Sequence, residues 1–306
     1  MLEKNSKLEL NADPDMFSYE GLSENSSIYM HLTAGAAAGI MEHVITYPLD
    51  SVKTRMQIVG VNRNLVYSTI SQSVSLISTT EGVRSLWRGI TSMALGSGPA
   101  HALYFATYEK TKLYLSGGDE TKIDPVAAGL AGGAGTIAHD ILMTPFDVVK
   151  QRMQASSAAY TSSISCFKSI LAKEGMMALY VSYPATLLLN LPLQIIQFAL
   201  YDVFNKSLNP ERAYSPLTHV TSGALSGAIA AAVTTPIDCA KTLLQTRGIS
   251  EDARIRSVTG IVKPFQIIIE TYGFKGLFRG ILPRVLSIMP GTAISWTTYE
   301  YFKHIL

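Results

Sequence analysis

Three copies of one charged string constrain this chain more than any other feature. Pro48-Leu49-Asp50-Ser51-Val52-Lys53, Pro145-Phe146-Asp147-Val148-Val149-Lys150 and Pro236-Ile237-Asp238-Cys239-Ala240-Lys241 share the pattern Pro-x-Asp-x-x-Lys and stand 97 and 91 residues apart. Each is followed by a glutamine nine residues after its proline: Gln57, Gln154 and Gln245. A second signature trails each string, as Glu81-Gly82 with Leu86-Trp87-Arg88-Gly89, Glu174-Gly175 with Leu179-Tyr180, and Gly273 with Leu277-Phe278-Arg279-Gly280. From Gly82, Gly175 and Gly273 to Tyr108, Tyr201 and Tyr299 is 26 residues each time. Self-similarity in fixed register means one structural unit used three times.

What that unit is follows from its charge-poor stretches. Of the 306 residues, 47% are hydrophobic and 16% charged, where a soluble chain carries about a quarter charged. Residues 90–108, 184–201 and 216–235 lack Lys, Arg, Asp and Glu and have the length of bilayer-spanning helices. Residues 30–47, 125–144 and 285–299 are similar but carry Glu42, Asp140 and several prolines or glycines, making six spans. Each repeat therefore reads as a kinked span, a polar loop with a short amphipathic segment (near 70–79, 164–171 and 264–272), and a second span. The small residues Gly35/Gly39, Gly132/Thr136 and Gly223/Gly227 recur at the spacing that lets helix backbones approach in lipid. The expected divisions are a polar tail over 1–27 and repeats over 28–116, 122–208 and 215–306.

Charge fixes an orientation and excludes several functions. The loops after the proline strings hold 16 Lys and Arg, and the two loops between repeats hold 5. The positive-inside tendency turns the long loops toward the interior compartment and leaves both termini opposite. A net charge of +2 offers nothing to nucleic acid. Cys166 and Cys239 cannot build a disulfide framework, and no zinc-type Cys/His spacing occurs. There is no Walker loop, His-Glu-x-x-His or Gly-x-Ser-x-Gly, so an enzyme is not expected. The first twenty residues are acidic and lack arginine, resembling neither a transit nor a signal peptide.

The triplicated Pro-x-Asp-x-x-Lys strings, with their glutamines and Gly-aromatic signatures, resemble the mitochondrial carrier family of inner-membrane transporters over residues 30–304. The resemblance implies an all-α six-helix bundle with threefold pseudosymmetry, short matrix helices and a central water-filled cavity. It implies a matrix gate of pairs Asp50-Lys150, Asp147-Lys241 and Asp238-Lys53, braced by Gln57, Gln154 and Gln245. It implies an outer gate as well, from Glu109 with Lys112 and Glu300 with Lys303. The middle repeat departs there: Asp202 is present, but Asn205 stands at the basic position and Lys206 is one residue out of register. Family pairing gives Asp202-Lys303 and Glu300-Lys112, with Glu109 meeting Asn205. Membrane lipid, cardiolipin included, is the implied surroundings, and no cofactor is expected.

Family contact points fall at Gly96/Ser97, Leu189/Asn190 and Ile288/Met289, none of them basic. A polyanion would call for Arg or Lys, and Arg284 is the one candidate near these points. The middle of the spans instead offers donors to a divalent metal: His43, His101, Asn190, Gln194, Gln197 and Met289. Imidazole with a few oxygen or sulfur ligands suits ferrous iron without excluding zinc, manganese or copper. Asn190, Gln194, Gln197 and Tyr201 follow at intervals of 4, 3 and 4, a polar stripe down one helix. The strings 98–105, 190–192 and 289–296 resemble the iron-importing branch of the family, which carries over His43, His101 and His219 as iron-handling residues. His139, beside Asp140, ranks below them. The expected function is ferrous iron import by alternating access; the alternative is an organic solute such as a nucleotide or amino acid.

Overall fold

The computed structural model describes residues 45–59, 69–115, 125–155, 160–209 and 216–291. Among these the regular structure is helical throughout. In chain order it comprises α1 (45–57), α2 (Ile70–Glu81), α3 (Ile90–Leu115), α4 (Pro125–Ala155), α5 (Ser163–Glu174), α6 (Tyr183–Leu208), α7 (Pro216–Thr246), the one-turn α8 (Ala253–Arg256), α9 (Val262–Tyr272) and α10 (281–291). The most extensive packing joins α3 to α4 and α6 to α7, so the second span of one repeat seals against the first span of the next.

The long helices run through their prolines. Pro145 lies inside α4 and Pro236 inside α7, and both helices continue ten residues beyond, carrying the charged strings with them. A helical proline withdraws a backbone donor and bends the helix. Just before these prolines, the Thr144 hydroxyl donates to the Asp140 carbonyl and that of Thr235 to the Ala231 carbonyl at 2.7 Å, bonds of the kind that bend helices.

α6 shows how the bundle meets two solvents. Leu188, Leu191, Ile195 and Phe198 are exposed along one stripe, while Asn190, Gln194, Gln197 and Tyr201 run down another face. An apolar and a polar stripe, both outside the packed core of one helix, fit lipid on the outer side and water on the inner. By length and hydropathy, Met176–Leu208 and Leu217–Ile249 each suffice to cross a bilayer. The expected approach at Gly132 is not seen: a Cβ there would meet nothing within 4 Å among the described residues. Close contact falls instead at Gly135, whose added Cβ would lie 3.0 Å from the Tyr104 ring, and at Gly96, where it would strike Phe146 at 2.6 Å.

The short helices form where amphipathic segments were expected. Thr69 and Ser162 cap α2 and α5 by accepting from the amides of Gln72 and Ser165 at 3.3 and 3.2 Å. α2, α5 and α9 end at Gly82, Gly175 and Gly273, all with positive φ, where only glycine is unstrained. Two repeats then anchor the short helix to the foot of the preceding long one by a bidentate guanidinium–carboxylate pair, Arg55 with Glu81 and Arg152 with Glu174. The third repeat has Leu243 and Tyr272 at those positions. Leu243 joins an apolar cluster with Ile268 and Leu277, and Arg279 stacks on the Tyr272 ring at 4.0 Å.

Candidate functional site

Where α1, α4 and α7 converge, the aspartates and lysines of the three strings form a ring. Lys150 bonds Asp50 at 3.1 Å, Lys241 bonds Asp147 at 3.2 Å, and Lys53 bonds Asp238 at 2.9 Å. These are the three pairs the family resemblance implied. They are unequal in surroundings: Asp238 is 4% exposed, is also ion-paired with Arg284 at 2.9 Å, and accepts from Gln57 at 2.8 Å. Arg284 donates further to Thr234 at 2.8 Å. The basic group weighed as a receptor for anionic cargo is therefore bound into the ring. Sequence spacing alone could not show this, because Arg284 and Asp238 belong to different helices.

The glutamines do not brace the ring uniformly. Gln57 meets the expectation by contacting Asp238, and it also accepts from Thr242 at 2.9 Å. Gln154 accepts from Thr54 at 2.8 Å. Gln245 is buried, and its amide makes no hydrogen bond among the described residues. The reason lies one residue type away. Thr54 and Thr242 occupy the sixth position after their prolines, whereas α4 has Gln151 there, and its Oε1 also lacks a partner among the described residues.

Glycine elbows fit beneath the ring. Gly89 and Gly280 have φ of +85° and +72°; a Cβ on Gly89 would come within 3.2 Å of Lys150 Cα, and one on Gly280 within 3.1 Å of Gln57 Cγ. The middle repeat has Ser182 at this position in a right-handed conformation, its buried hydroxyl unpartnered among the described residues.

Higher in the bundle, three helices bring polar groups together. His101 on α3 and His139 on α4 meet edge to face with ring centres 5.2 Å apart. His139 Nδ1 lies 3.1 Å from Asp140 Oδ1, and Asn190 of α6 donates to Asp140 Oδ2 at 2.8 Å. Asp140 is 3% exposed, and no Lys or Arg pairs with it among the described residues. Gly135 leaves room for Tyr104 one turn above His139, which draws α3 onto α4. No group of three or more His, Cys, Asp or Glu side chains among the described residues is arranged to hold a metal ion. His101, His139, Asp140 and Asn190 form an arc across α3, α4 and α6.

Other expected residues fall differently. His43, Glu300 and Lys303 lie outside the described residues. Gly96, expected among cargo contacts, is buried, and an added Cβ there would strike Phe146. His219 is hydrogen-bonded to the Tyr201 hydroxyl at 2.7 Å and stacks near its ring, joining α6 to α7. Gln194 is exposed on the polar stripe of α6, and Met289 is half-buried on α10. At the end of the bundle away from the ring, Asp202 pairs with Lys206 at 2.6 Å within its own helix, so the lysine judged out of register is the one it uses. No hydrogen bond joins Glu109 to Asn205 among the described residues; Lys112 lies over the Tyr108 ring. The ring below is closed while the expected Glu109-Asn205 link above is unmade.

A family model described as mitochondrial carrier protein matches residues 24–119, 121–212 and 212–306. The chain belongs to the mitochondrial carrier family, and it is a multi-pass protein of the mitochondrial inner membrane. It is 46% identical to a mitochondrial carrier of Schizosaccharomyces pombe over 95% of both chains. It is 44% identical to the mitochondrial RNA-splicing protein MRS4 of Saccharomyces cerevisiae, covering 94% of this chain and 95% of that one. It is 42% identical to human mitoferrin-1, covering 94% and 86%.

Proposed function

We propose that this carrier imports ferrous iron into the mitochondrial matrix by alternating access, with the long loops in the matrix and both termini in the intermembrane space. The observation that carries the reading is the arc of His101, His139, Asp140 and Asn190 across α3, α4 and α6. It offers neutral lone pairs and one carboxylate, without a cation, above a closed ring. Imidazole and amide donors of this kind suit a first-row dication. Buried carboxylates in a membrane need a counter-charge, which a phosphate or dicarboxylate would not provide. The strong likeness to proteins named mitoferrins supports the same cargo. A cage would hold iron too firmly to release it; an open arc binds weakly, and the proline-bent helices of the bundle rock about the bound ion.

His101, His139, Asn190 and Gln194 receive the ion, with His43 and Met289 as further donors. The ring of Asp50, Lys53, Asp147, Lys150, Asp238 and Lys241 opens to release it. Glu109, Lys112, Asp202, Glu300 and Lys303 close the outer side before that ring parts, so the two ends are never open together. Reconstitution of the pure protein in vesicles holding a metal-sensitive dye tests the reading. Ferrous iron should enter at an initial rate at least ten times that of empty vesicles, with manganese, zinc and copper compared alongside, and unlabelled ATP or amino acids should not compete. Brisk exchange of such a solute with iron left outside would establish the organic-solute alternative.

A further inference from the structure

We propose that His139 and His101 together seat the transported dication, with Asp140 as the residue that positions them; this rests on the iron reading above. Three observations converge. First, each ring has its Nδ1 against an acceptor. His101 Nδ1 lies 2.8 Å from the Ser97 carbonyl, and His139 Nδ1 lies 3.1 Å from the Asp140 carboxylate. A carbonyl cannot donate, so the His101 contact is a donation from Nδ1, and a carboxylate oxygen accepts from His139 Nδ1 in the same way, which in a neutral ring leaves Nε2 unprotonated. In that tautomer both rings present Nε2 as the metal-binding lone pair. Anchoring one ring nitrogen on a carboxylate or carbonyl is how metal-ligating histidines are oriented.

Second, the separation fits one ion. A first-row metal sits about 2.0–2.1 Å from each imidazole nitrogen, so two rings on one tetrahedral centre have their centres about 5 Å apart. The observed distance is 5.2 Å, between rings on different helices. Third, Asp140 has both oxygens engaged, Oδ1 by His139 and Oδ2 by Asn190 Nδ2. That places it behind the seat rather than in it. An Asn190 amide that donates to Asp140 leaves its carbonyl oxygen as the acceptor end toward a guest. Two imidazoles and one amide oxygen leave the remaining positions to water, as a cargo that must depart requires.

Cobalt(II) titration of the full-length purified carrier, read by its visible absorption bands, tests the assignment. His101→Ala and His139→Ala should each weaken binding at least tenfold. The double variant should lose little more than either single one, because one imidazole alone is not the seat. Asp140→Asn should weaken binding by about 10- to 100-fold and shift the bands while the melting transition is kept. Affinity of His139→Ala within twofold of the parent, or losses that multiply in the double variant, would overturn the pairing. Should His139→Ala fail to melt cooperatively, His139→Gln is judged by the same criteria. Iron uptake by the parent in vesicles stands apart from these outcomes: uptake with unchanged cobalt binding in the His139 variants sinks the paired seat alone, and no uptake sinks the iron reading.

Discussion

At the level of the proline kinks, α1, α4 and α7 each contribute an aspartate and a lysine, and all three pairs are formed at 2.9 to 3.2 Å. Higher up, α3 gives an imidazole, α4 an imidazole backed by a carboxylate, and α6 an amide, while α7 has Ala230 and Ala231 where α4 has His139 and Asp140. The floor keeps the threefold pattern and the middle abandons it. A gate must part and reform around the whole axis, so equivalent pairs serve it. A small ion needs one seat, and three equivalent seats would dilute the geometry that selects it.

The largest expected effect tests how equal the floor is. Asp238 answers Lys53, Arg284 and Gln57 together, so Asp238→Asn leaves the buried Arg284 and the half-buried Lys53 facing a neutral amide. Removing one partner of a buried pair costs about 3–5 kcal/mol, and initial iron uptake in vesicles should fall by about a hundredfold or more. Asp50→Asn and Asp147→Asn should each fall less. Equal losses at all three would mean that Arg284 adds nothing to closure. For the middle, His101→Ala should lower uptake about tenfold, near 1.4 kcal/mol, while Gln57, Lys53 and Asp238 stay as they are. A hundredfold loss there would make the middle as much a part of the gate as the floor.

Much of the floor was legible because it is written in periodic form. Three strings in register define three helices, and each Asp and Lys three residues apart share a helix face; the pairing itself came from resemblance. The elbow glycines and short helices are local features and announce themselves in the same way. What escaped depends on contacts between helices. Nothing in a one-dimensional pattern brings Arg284 to Asp238, or His139 to His101 and Asp140 to Asn190. His139 looked like the weaker histidine because its value comes from a neighbour 38 residues away. Gly96 looked like a cargo contact because its level in the span is right, yet Phe146 fills the space beside it. Lys206 looked misplaced by family spacing, but one helical turn brings it to Asp202.

The outer edge of the floor supplies a smaller effect with a pH signature. Burial pushes the Glu174 carboxyl up, but the Arg152 guanidinium bonded to it outweighs that and holds it below the usual carboxylate range. A depressed folded value contributes stability in full above the unfolded value of about 4.3 and loses it as pH falls through the folded one. Glu174→Gln should therefore melt lower than the parent by about 2 °C near neutral pH, for about 1 kcal/mol, and the two curves should converge in acid. The third repeat, with Leu243 and Tyr272 in place of this pair, provides the control: Tyr272→Phe should show no such convergence. A gap that persists unchanged at low pH would assign the loss to packing instead of charge.

The smallest effect would make the floor more symmetric than it is. Gln57 and Gln154 each accept from a threonine on the next helix, and Gln245 has Gln151 at the corresponding place. The buried Gln245 amide and the Gln151 Oε1, both without partners among the described residues, cost the closed state what a formed bond would return. Gln151→Thr puts a hydroxyl where Thr54 and Thr242 have theirs, and a bond to Gln245 should favour closure by about 0.5–1 kcal/mol. The closed form would then melt about one to two degrees higher, and uptake would slow by severalfold, because opening the ring has become harder. A variant that melts higher yet transports at the parent's rate would show that opening of this ring does not limit the cycle. One that melts lower would show that the glutamine at 151 fills space a threonine cannot.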